Sequence, residues 1–343
     1  MRHLLNTLFV TTHGACLSRQ GDAVLVRVEK KTRLHVPIHT LEGIVCLGRV
    51  LCTPGLLDLC GQKRIALSFF TEYGRFIARL EGPVSGNVLL RREQFRRADD
   101  PDASAAIALP IVAAKVANCR TALMRALRDH PELPGTPELQ NAARSLQHLL
   151  GELESSPPLD VLRGREGDAA RVYFAVFDHL ITAQKDQFFF HARTRRPPKD
   201  NVNALLSFLY TLLAHDVASA LHGVGLDPAV GYLHRDRPGR PGLALDLMEE
   251  FRALFADRLA LSLINLRQVQ ADGFRTTETG AVQMDDATRK ALLVAYQKRK
   301  QEEIRHAFLD ETVPIGLLFY VQASLLARFL RGDLDAYPAF FWK

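Results

Sequence analysis

Cysteine is scarce in this sequence, and its spacing matches no metal or redox motif. The five cysteines, Cys16, Cys46, Cys52, Cys60 and Cys119, include no pair in a C-x-x-C arrangement. Neither a zinc ribbon nor a thioredoxin-like site is therefore indicated. A small, odd number of cysteines is more typical of a reduced, intracellular protein than of a secreted disulfide scaffold.

Several nucleotide-binding and hydrolase motifs are also missing. The chain has no G-x-x-x-x-G-K-[ST], no G-x-G-x-x-G between a strand and a helix, and no H-E-x-x-H, G-x-S-x-G or EF-hand loop. These absences leave a P-loop ATPase, a dinucleotide-binding enzyme and the common hydrolases without support. Any chemistry must come from residues that lie far apart in sequence and meet on folding.

Neither charge nor hydrophobicity is extreme. The 343 residues include 44 Lys and Arg against 38 Asp and Glu, and the net charge of +6 only weakly indicates an anionic partner. The hydrophobic fraction of 47% is typical of a folded globular chain. The apolar segment 314–330 contains Gln322 and Arg328 and is shorter than the ~20 residues of a membrane span. We therefore expect a soluble, cytoplasmic protein without a membrane partner.

The first part of the chain has the alternating, β-branched pattern of strands. We predict strands over residues 4–11, 15–18, 23–28, 34–38, 43–47, 65–70 and 75–80, and a short helix over 55–60. Tight turns are predicted at Gln20-Gly21-Asp22 and Glu72-Tyr73-Gly74, where glycine permits the reversal of a hairpin.

Beyond residue 87 the chain is rich in Ala and Leu at helical spacing. We predict a small hairpin over 274–284 and helices over 103–129, 137–153, 166–187, 201–222, 243–266, 285–308 and 314–331. Strands followed by helices predict an α+β chain with two segregated domains. We expect an N-terminal β domain at 1–85, a linker at 86–102 and a larger all-α catalytic domain at 103–343.

Three segments concentrate polar residues. The first, 162–171, carries Glu166 and Asp168 at the predicted start of a helix, where the helix dipole alone would favour acids. The second is the loop 231–242, in which His234 lies close to three arginines. They suit phosphate recognition, but they are also compatible with a solvated surface: Arg235, Arg237 and Arg240.

The third segment, 245–252, places Asp246 and Glu249 at i and i+3 on one helix face, flanked by Met248. Carboxylates beside apolar residues need a partner, often a cation, although Asp246 is also a plausible first-turn acid. One imidazole and two or more carboxylates suit Mg²⁺ or Mn²⁺ better than structural Zn²⁺. A hard cation beside arginines is the apparatus of phosphodiester chemistry.

These segments carry a resemblance to a known family. The chain reads G-R-E-G-x-A-A-R-x-Y-F at 164–174, G-Y-L-H at 231–234 and L-A-L-D-L-M-E-E-F-R at 243–252. Two N-terminal stretches are similar as well, P-I-H-T-L-E-G-I-V at 37–45 and G-N-V-L-L-R at 86–91. In this order, over essentially the whole chain, they resemble the CRISPR-associated integrase that inserts new spacers, with a likeness to its subtype I-C branch.

The resemblance implies a metal-dependent DNA endonuclease and integrase with a β domain and a helical catalytic domain. Its metal ligands fall on Glu166, His234 and Glu249, and Asp246 matches the accompanying acid. Some members carry Asp where this chain has Glu249, so the division of roles among Asp246, Glu249 and Glu250 stays open. The expected reaction is attack by the 3′-hydroxyl of a prespacer on a phosphodiester of the repeat array, without ATP.

The resemblance also implies partners. The family dimerises through the β domain, and two dimers bracket a small ferredoxin-like partner in a heterohexamer. An iron–sulfur exonuclease often assists the subtype, and double-stranded DNA is the substrate.

Charge and proximity in sequence, rather than the family motifs, indicate the DNA-binding residues. They are Arg235, Arg237, Arg240, Arg252, Arg193, Arg195 and Arg196, with Lys199 and the cluster Arg91, Arg92, Arg96 and Arg97 as further candidates. Each cluster taken singly is also compatible with a solvated face. Two alternatives remain at this point, namely a non-catalytic DNA-binding scaffold of the same fold and a stand-alone nuclease acting on branched DNA.

Overall fold

The computed structural model describes residues 7–41, 43–63, 65–72, 76–80, 82, 88–132 and 135–342. Strands come first and helices follow, so the expected α+β architecture is confirmed. The N-terminal elements are β1 (Thr7–Val10), β2 (Cys16–Gln20), β3 (Ala23–Val28), β4 (Lys31–Pro37), β5 (Gly43–Leu47), β6 (Leu51–Cys52), α1 (Pro54–Lys63), β7 (Ala66–Phe70) and β8 (Phe76–Arg79).

These strands form two four-stranded sheets, ordered β1-β5-β7-β8 and β4-β3-β2-β6. The hairpin of β2 and β3 turns at Gly21, whose φ of 60° suits glycine, as predicted. The pairings of β5 with β1 and with β7 are parallel and were not predicted. The other predicted turn includes residues 73 and 74, which lie outside the described residues.

Strand alternation divides the first sheet between two cores. Ile44 and Cys46 on one face of β5 pack with α1 and the second sheet. Val45 and Leu47 on the other face join the core of the helical region. Every residue of β5 is buried, as expected for a parallel strand covered on both sides.

The helical region contains α2 (Val88–Asp99), α3 (Pro101–Asp129), α4 (Thr136–Leu153), α5 (Leu159–Ala175), α6 (Asn201–Val224), α7 (Gly242–Met248), α8 (Arg258–Asn265), α9 (Asp286–Gln301) and α10 (Ile315–Leu330). Two short hairpins complete it, β9 (Phe274–Thr276) with β10 (Val282–Met284), and β11 (Glu303–His306) with β12 (Glu311–Pro314). Two of these helices, α3 and α6, are long and apolar enough to cross a membrane by length and composition. Both contribute many residues to the main core, as core helices of globular domains do.

Helix α2 occupies most of the segment 86–102 that was predicted as a linker. The buried side chain of Gln94 anchors this helix to the loop that follows α6, donating to the carbonyls of Asp227 and Val230 at 2.8 and 2.9 Å. The sequence of α2 is strongly polar, so hydrophobic periodicity did not reveal it. The predicted boundary at residue 85 lies among residues that the structure does not describe, and it stays a prediction.

Three predicted helices differ from the observed ones. Helix α5 begins directly after Pro158 and ends at Ala175, rather than spanning 166–187. The predicted helix 285–308 ends at Gln301, since residues 303–306 pair with β12. The predicted helix 243–266 is interrupted after α7 and continues through a π-helical turn, Arg252–Asp257, into α8.

Candidate active site

The side chains of Glu166 and Glu249 meet at a buried lysine. Glu166 lies in the middle of α5, and Glu249 directly follows α7. Between them, Lys115 of α3 bonds a carboxylate oxygen of Glu166, and its Nζ lies 2.8 Å from Oε2 of Glu249. Because Glu166 is in the eighth position of α5, the alternative of a helix-dipole acid is wrong for this residue.

Helix α3 contacts the Glu249–Glu250 segment through two of its side chains, Lys115 and Asn118. Asn118, one turn after Lys115, donates from Nδ2 to the carbonyl of Glu250 at 2.8 Å. Residues three apart share a helix face, so α3 fixes the Glu249 side chain through Lys115 and the adjacent backbone through Asn118.

Arg252 adds a second cation. Its Nη2 lies 3.1 Å from Oε1 of Glu249, and it is the first residue of the π-helical turn, a type of distortion frequent at functional sites. Burial of Glu249 favours its neutral form, but Arg252, Lys115 and His234 outweigh this and lower the pKa of the carboxyl to about 2. Glu249 is thus an ionised carboxylate inside the protein.

His234 is oriented by Asp246. Its Nδ1 lies 2.6 Å from Oδ1 of Asp246, and the same carboxylate accepts three backbone N–H groups, from Tyr232, Leu233 and His234. Asp246 is fully buried and lies in the second turn of α7, so it is not a first-turn acid. Both carboxylate oxygens of Asp246 accept hydrogen bonds from the loop. Because Nδ1 of His234 faces Asp246, Nε2 points away from this carboxylate.

Further contacts tie the loop to its neighbours. Arg163, one turn before Glu166 on α5, donates from Nε to the carbonyl of Leu233 at 2.6 Å. Gly231 packs so closely that a Cβ atom there would lie 2.8 Å from Oδ2 of Asp246. The loop carrying His234 is therefore held in place beside the helix carrying Glu166.

Glu250 belongs to a different network. Its carboxylate accepts from Tyr337, Gln322 and the backbone N–H of Phe340, at 2.6, 2.9 and 2.7 Å. Burial raises its pKa to about 7, although these donors act in the opposite direction. The geometry thus separates the three acids that the sequence left undivided: Glu249 faces Glu166, Asp246 holds His234, and Glu250 anchors the C-terminal segment.

The predicted DNA-binding arginines fall into three groups. Arg195, Arg196 and Arg237 are exposed on loops, and Arg240 is half-buried. Arg235 is also exposed, but its Nη2 lies 3.0 Å from Asp160. Arg193 and Arg252 point inward, and both guanidinium groups lie over the ring of Tyr210, at 5.2 and 4.8 Å from its centroid.

The arginines of α2 also differ in exposure and in their contacts. Arg92 and Arg96 are exposed, whereas Arg91 donates to the carbonyl of Gly225 at 3.1 Å and Arg97 bonds Glu93 at 2.9 Å. Part of this cluster therefore secures the fold. Lys199 is exposed beside Arg196.

Sequence reasoning missed Lys115 and Gln94. Lys115 had a visible signal, because it is an isolated charge within the apolar run I-V-A-A-K-V-A of α3. Such a charge predicts a buried partner. Gln94 had no comparable signal.

The candidate site has donor atoms that suit a metal ion, but their spacing is wider than a metal site requires. Within the described ranges, no three His, Cys, Asp or Glu side chains converge closely enough to hold a metal ion. Yet both carboxylate oxygens of Glu249 are buried without a well-formed hydrogen bond to any described residue, although cations face them. Two carboxylates and one imidazole are a donor set that suits Mg²⁺ or Mn²⁺, so the chemistry of these residues fits such an ion, although their present spacing does not.

Comparison with known proteins identifies the class of molecule to which this fold and site belong. The family model of CRISPR associated protein Cas1 matches residues 8–298. CRISPR-associated endonuclease Cas1 1 of Chlorobaculum tepidum is 52% identical over the full length of both chains. Cas1 2 of Rhodospirillum rubrum is 49% identical, again over both full lengths. The chain therefore belongs to the Cas1 family of CRISPR-associated endonucleases, which confirms the resemblance.

Solved structures agree with this assignment. A Cas1 protein of Thermotoga maritima, 25% identical, superposes with a TM-score of 0.81 over 95% of this chain and 97% of its own. A casposase bound to integration product shares the fold, with a TM-score of 0.83 at 19% identity over 98% and 94% of the chains. One chain of a Cas6-RT-Cas1–Cas2 complex also shares the fold, with a TM-score of 0.81 at 22% identity. The match covers 99% of this chain and 36% of that chain.

One relative is a fused protein. The Cas4 exonuclease/Cas1 endonuclease fusion of Geobacter sulfurreducens is 34% identical over 97% of this chain, which covers 60% of the fusion. None of these comparisons tests the assignment to subtype I-C or the roles of individual site residues, which stay predictions.

Proposed function

We propose that this chain is a metal-dependent DNA endonuclease and integrase that inserts short foreign DNA fragments into a CRISPR array. The observation that carries the proposal is the meeting of Glu166 and Glu249, from distant parts of the sequence, around a buried cation beside a histidine held by Asp246. A purely structural ion pair would need neither the oriented imidazole nor the additional arginine.

In the proposed site, Glu166, His234 and Glu249 hold Mg²⁺ or Mn²⁺. Such an ion supplies charge stabilisation to a reacting phosphodiester. Asp246 keeps Nδ1 of His234 engaged, so that Nε2 presents its lone pair. Arg252, already fixed against Glu249, is placed to face the negative charge of a nearby phosphate.

The proposed reaction is transesterification, in which the 3′-hydroxyl of a prespacer attacks a phosphodiester of the repeat array. One phosphodiester bond forms as another breaks, so no nucleotide cofactor is required. This agrees with the missing P-loop motif. The nuclease class is that of the relatives, and the integrase assignment is supported by the shared fold with a casposase seen on its integration product.

The DNA track is proposed to follow the exposed loops near the site. Arg237 and Arg240 lie a few residues after His234, and Arg195 and Arg196 project from the loop that precedes α6. Arg235 would have to exchange its contact with Asp160 for a phosphate. Phosphate contacts of this kind give salt-dependent affinity with little sequence preference.

The proposed partners are a second copy of the chain, a small ferredoxin-like protein in a heterohexamer, and an iron–sulfur exonuclease. Dimerisation through the β domain is supported by exposed apolar side chains there, among them Leu51 at 68% and Ile77 at 57% exposure. The Cas6-RT-Cas1–Cas2 complex among the similar structures supports a protein partner, and the Cas4 exonuclease/Cas1 endonuclease fusion supports an exonuclease partner.

The test is strand joining by purified protein. A duplex with a free 3′-hydroxyl is incubated with a supercoiled repeat-containing plasmid and Mn²⁺, and the joined product is measured for the wild type, Glu166→Ala and His234→Ala. We expect joining to fall at least 100-fold in both variants while duplex binding persists. Joining at the wild-type rate in both variants would contradict the assignment of Glu166 and His234 to the metal site. Duplex binding without any joining by the wild type would instead identify a DNA-binding scaffold.

A further inference from the structure

The ammonium group of Lys115 is a buried charge at the centre of the candidate site. It lies in the apolar middle of α3, with its side chain only 6% exposed. Its described ion-pair partners are the carboxylates of Glu166 and Glu249. These are the two acids assigned above to the metal, so the ammonium lies between groups that would both have to face that ion.

The charges of this cluster already balance. Glu166 and Glu249 contribute two negative charges, and Lys115 and Arg252 contribute two positive charges at ion-pair distance. A divalent ion added without any rearrangement would leave a buried excess of two positive charges, which a poorly solvated site disfavours. Withdrawal of one resident cation would reduce this excess to a single positive charge.

Lys115 is the cation better able to move. Arg252 is fixed by the stacking of its guanidinium on Tyr210 as well as by Glu249. Lys115 is a point charge on a flexible four-carbon stem, and its described contacts through Nζ are the two carboxylates alone.

We propose that Lys115 is a positioning residue that takes the place of the metal ion in the metal-free protein and is displaced when the ion binds. It would hold the two carboxylates together until then, at the cost of weaker metal binding. This inference rests on the proposed function, because it assumes that Glu166 and Glu249 bind the ion.

The experiment measures Mn²⁺ binding to the full chain by calorimetry after chelator treatment, and thermal unfolding with and without Mn²⁺. Lys115→Met should lower the melting temperature of the metal-free protein, because buried Glu249 and half-buried Glu166 lose a counter-charge. The same variant should bind Mn²⁺ about tenfold or more tightly than the wild type and show a larger Mn²⁺-induced rise in melting temperature.

A matched control comes from a second buried lysine. Nζ of Lys300 lies 3.0 Å from Oδ2 of Asp216, and the side chain is 2% exposed. Lys300→Met should also lower the melting temperature but leave Mn²⁺ affinity unchanged within about threefold. If Lys115→Met fails to fold, Lys115→Gln keeps an amide donor for the carboxylates without the charge, and it should show the same gain in affinity.

The two proposals fail in different ways. Wild-type binding of Mn²⁺ that Glu166→Gln abolishes supports the metal site. If the Lys115 variants then bind Mn²⁺ no more tightly than the wild type, the displacement proposal is wrong while the site stands. If neither the wild type nor the Lys115 variants bind Mn²⁺, both proposals are wrong.

Discussion

His234 and Asp246 form a close hydrogen-bonded pair, with 2.6 Å between Nδ1 and Oδ1. The carboxylate also accepts the backbone N–H groups of Tyr232, Leu233 and His234, so one buried acid determines both the loop conformation and the orientation of the ring. A histidine held through Nδ1 offers Nε2 as its free nitrogen. We therefore expect Asp246 to act through His234 rather than on the metal or the DNA.

This relationship predicts the effect of Asp246→Asn. The amide keeps the shape of the side chain, but its NH₂ group must face backbone donors, so the loop and the ring lose their common anchor. We expect strand joining to fall about 10–100-fold, the usual effect of removing a partner behind a metal-ligating histidine. Joining assays and a melting curve measure the change. Full activity in a stable variant would show that Asp246 does not orient the ring.

Gln94 provides a test of how α2 supports the site. Its side chain is fully buried and makes three hydrogen bonds to the backbone of Asp227 and Val230. Gln94→Ala should cost about 1–3 kcal/mol, because buried backbone groups lose their partners. Chemical denaturation measures the loss, with Arg92→Ala on the exposed side of the same helix as the control. Equal stability of the two variants would contradict this role.

The salt dependence of duplex binding should distinguish the exposed arginines from the inward-pointing ones. Replacing exposed Arg237 or Arg196 with alanine should weaken duplex binding and reduce the slope of log affinity against log salt by about 0.9 for each phosphate that is no longer neutralised. Arg193 donates to Asn203 and Ser207 at 2.7 and 3.1 Å, so Arg193→Ala should mainly lower the melting temperature. Fluorescence anisotropy across a salt series measures these slopes. An unchanged slope for Arg237→Ala and Arg196→Ala would remove both residues from the DNA track.

His215 predicts a pH effect remote from the active site. It packs against Phe70 of β7 with ring centroids 5.4 Å apart, and burial lowers its pKa to about 4, with Lys300, Arg79 and His222 acting in the same direction and Asp216 opposing. Between pH 6.5 and 4 the unfolded chain then binds more protons at this residue than the native one, so stability falls as the pH falls.

The size of this effect is on the order of 1–3 kcal/mol at most. Denaturation at a series of pH values measures it, and His215→Gln should flatten the dependence over that window. If the variant retains the same slope as the wild type, His215 is not the group responsible.

Local patterns predicted most elements but not their long-range arrangement. The β2–β3 hairpin and α10 were predicted because turn residues and helical spacing are local signals. The parallel pairing of β1, β5 and β7 depends on residues about 20–40 positions apart. Strand β11 lies within the predicted helix 285–308, because its charged sequence favours a helix until pairing with β12 overrides it.

For the candidate site too, the sequence predicted some features, while others depended on long-range contacts. The family motifs indicated Glu166, His234 and Glu249, while the different contacts of Asp246, Glu249 and Glu250 were visible only in the structure. Adjacent residues of one segment face different parts of the interior, and spacing alone could not assign them.

The most direct test of the central claim compares Glu249→Gln with Glu250→Gln in Mn²⁺-dependent strand joining. Glu249 is ionised, with a pKa of about 2, so replacement by the amide removes a negative charge from the proposed metal site. Glu250 has a pKa of about 7, so the amide resembles its protonated form. We predict at least a 100-fold loss of joining for Glu249→Gln and less than a tenfold loss for Glu250→Gln. Near-normal joining by Glu249→Gln would contradict the account.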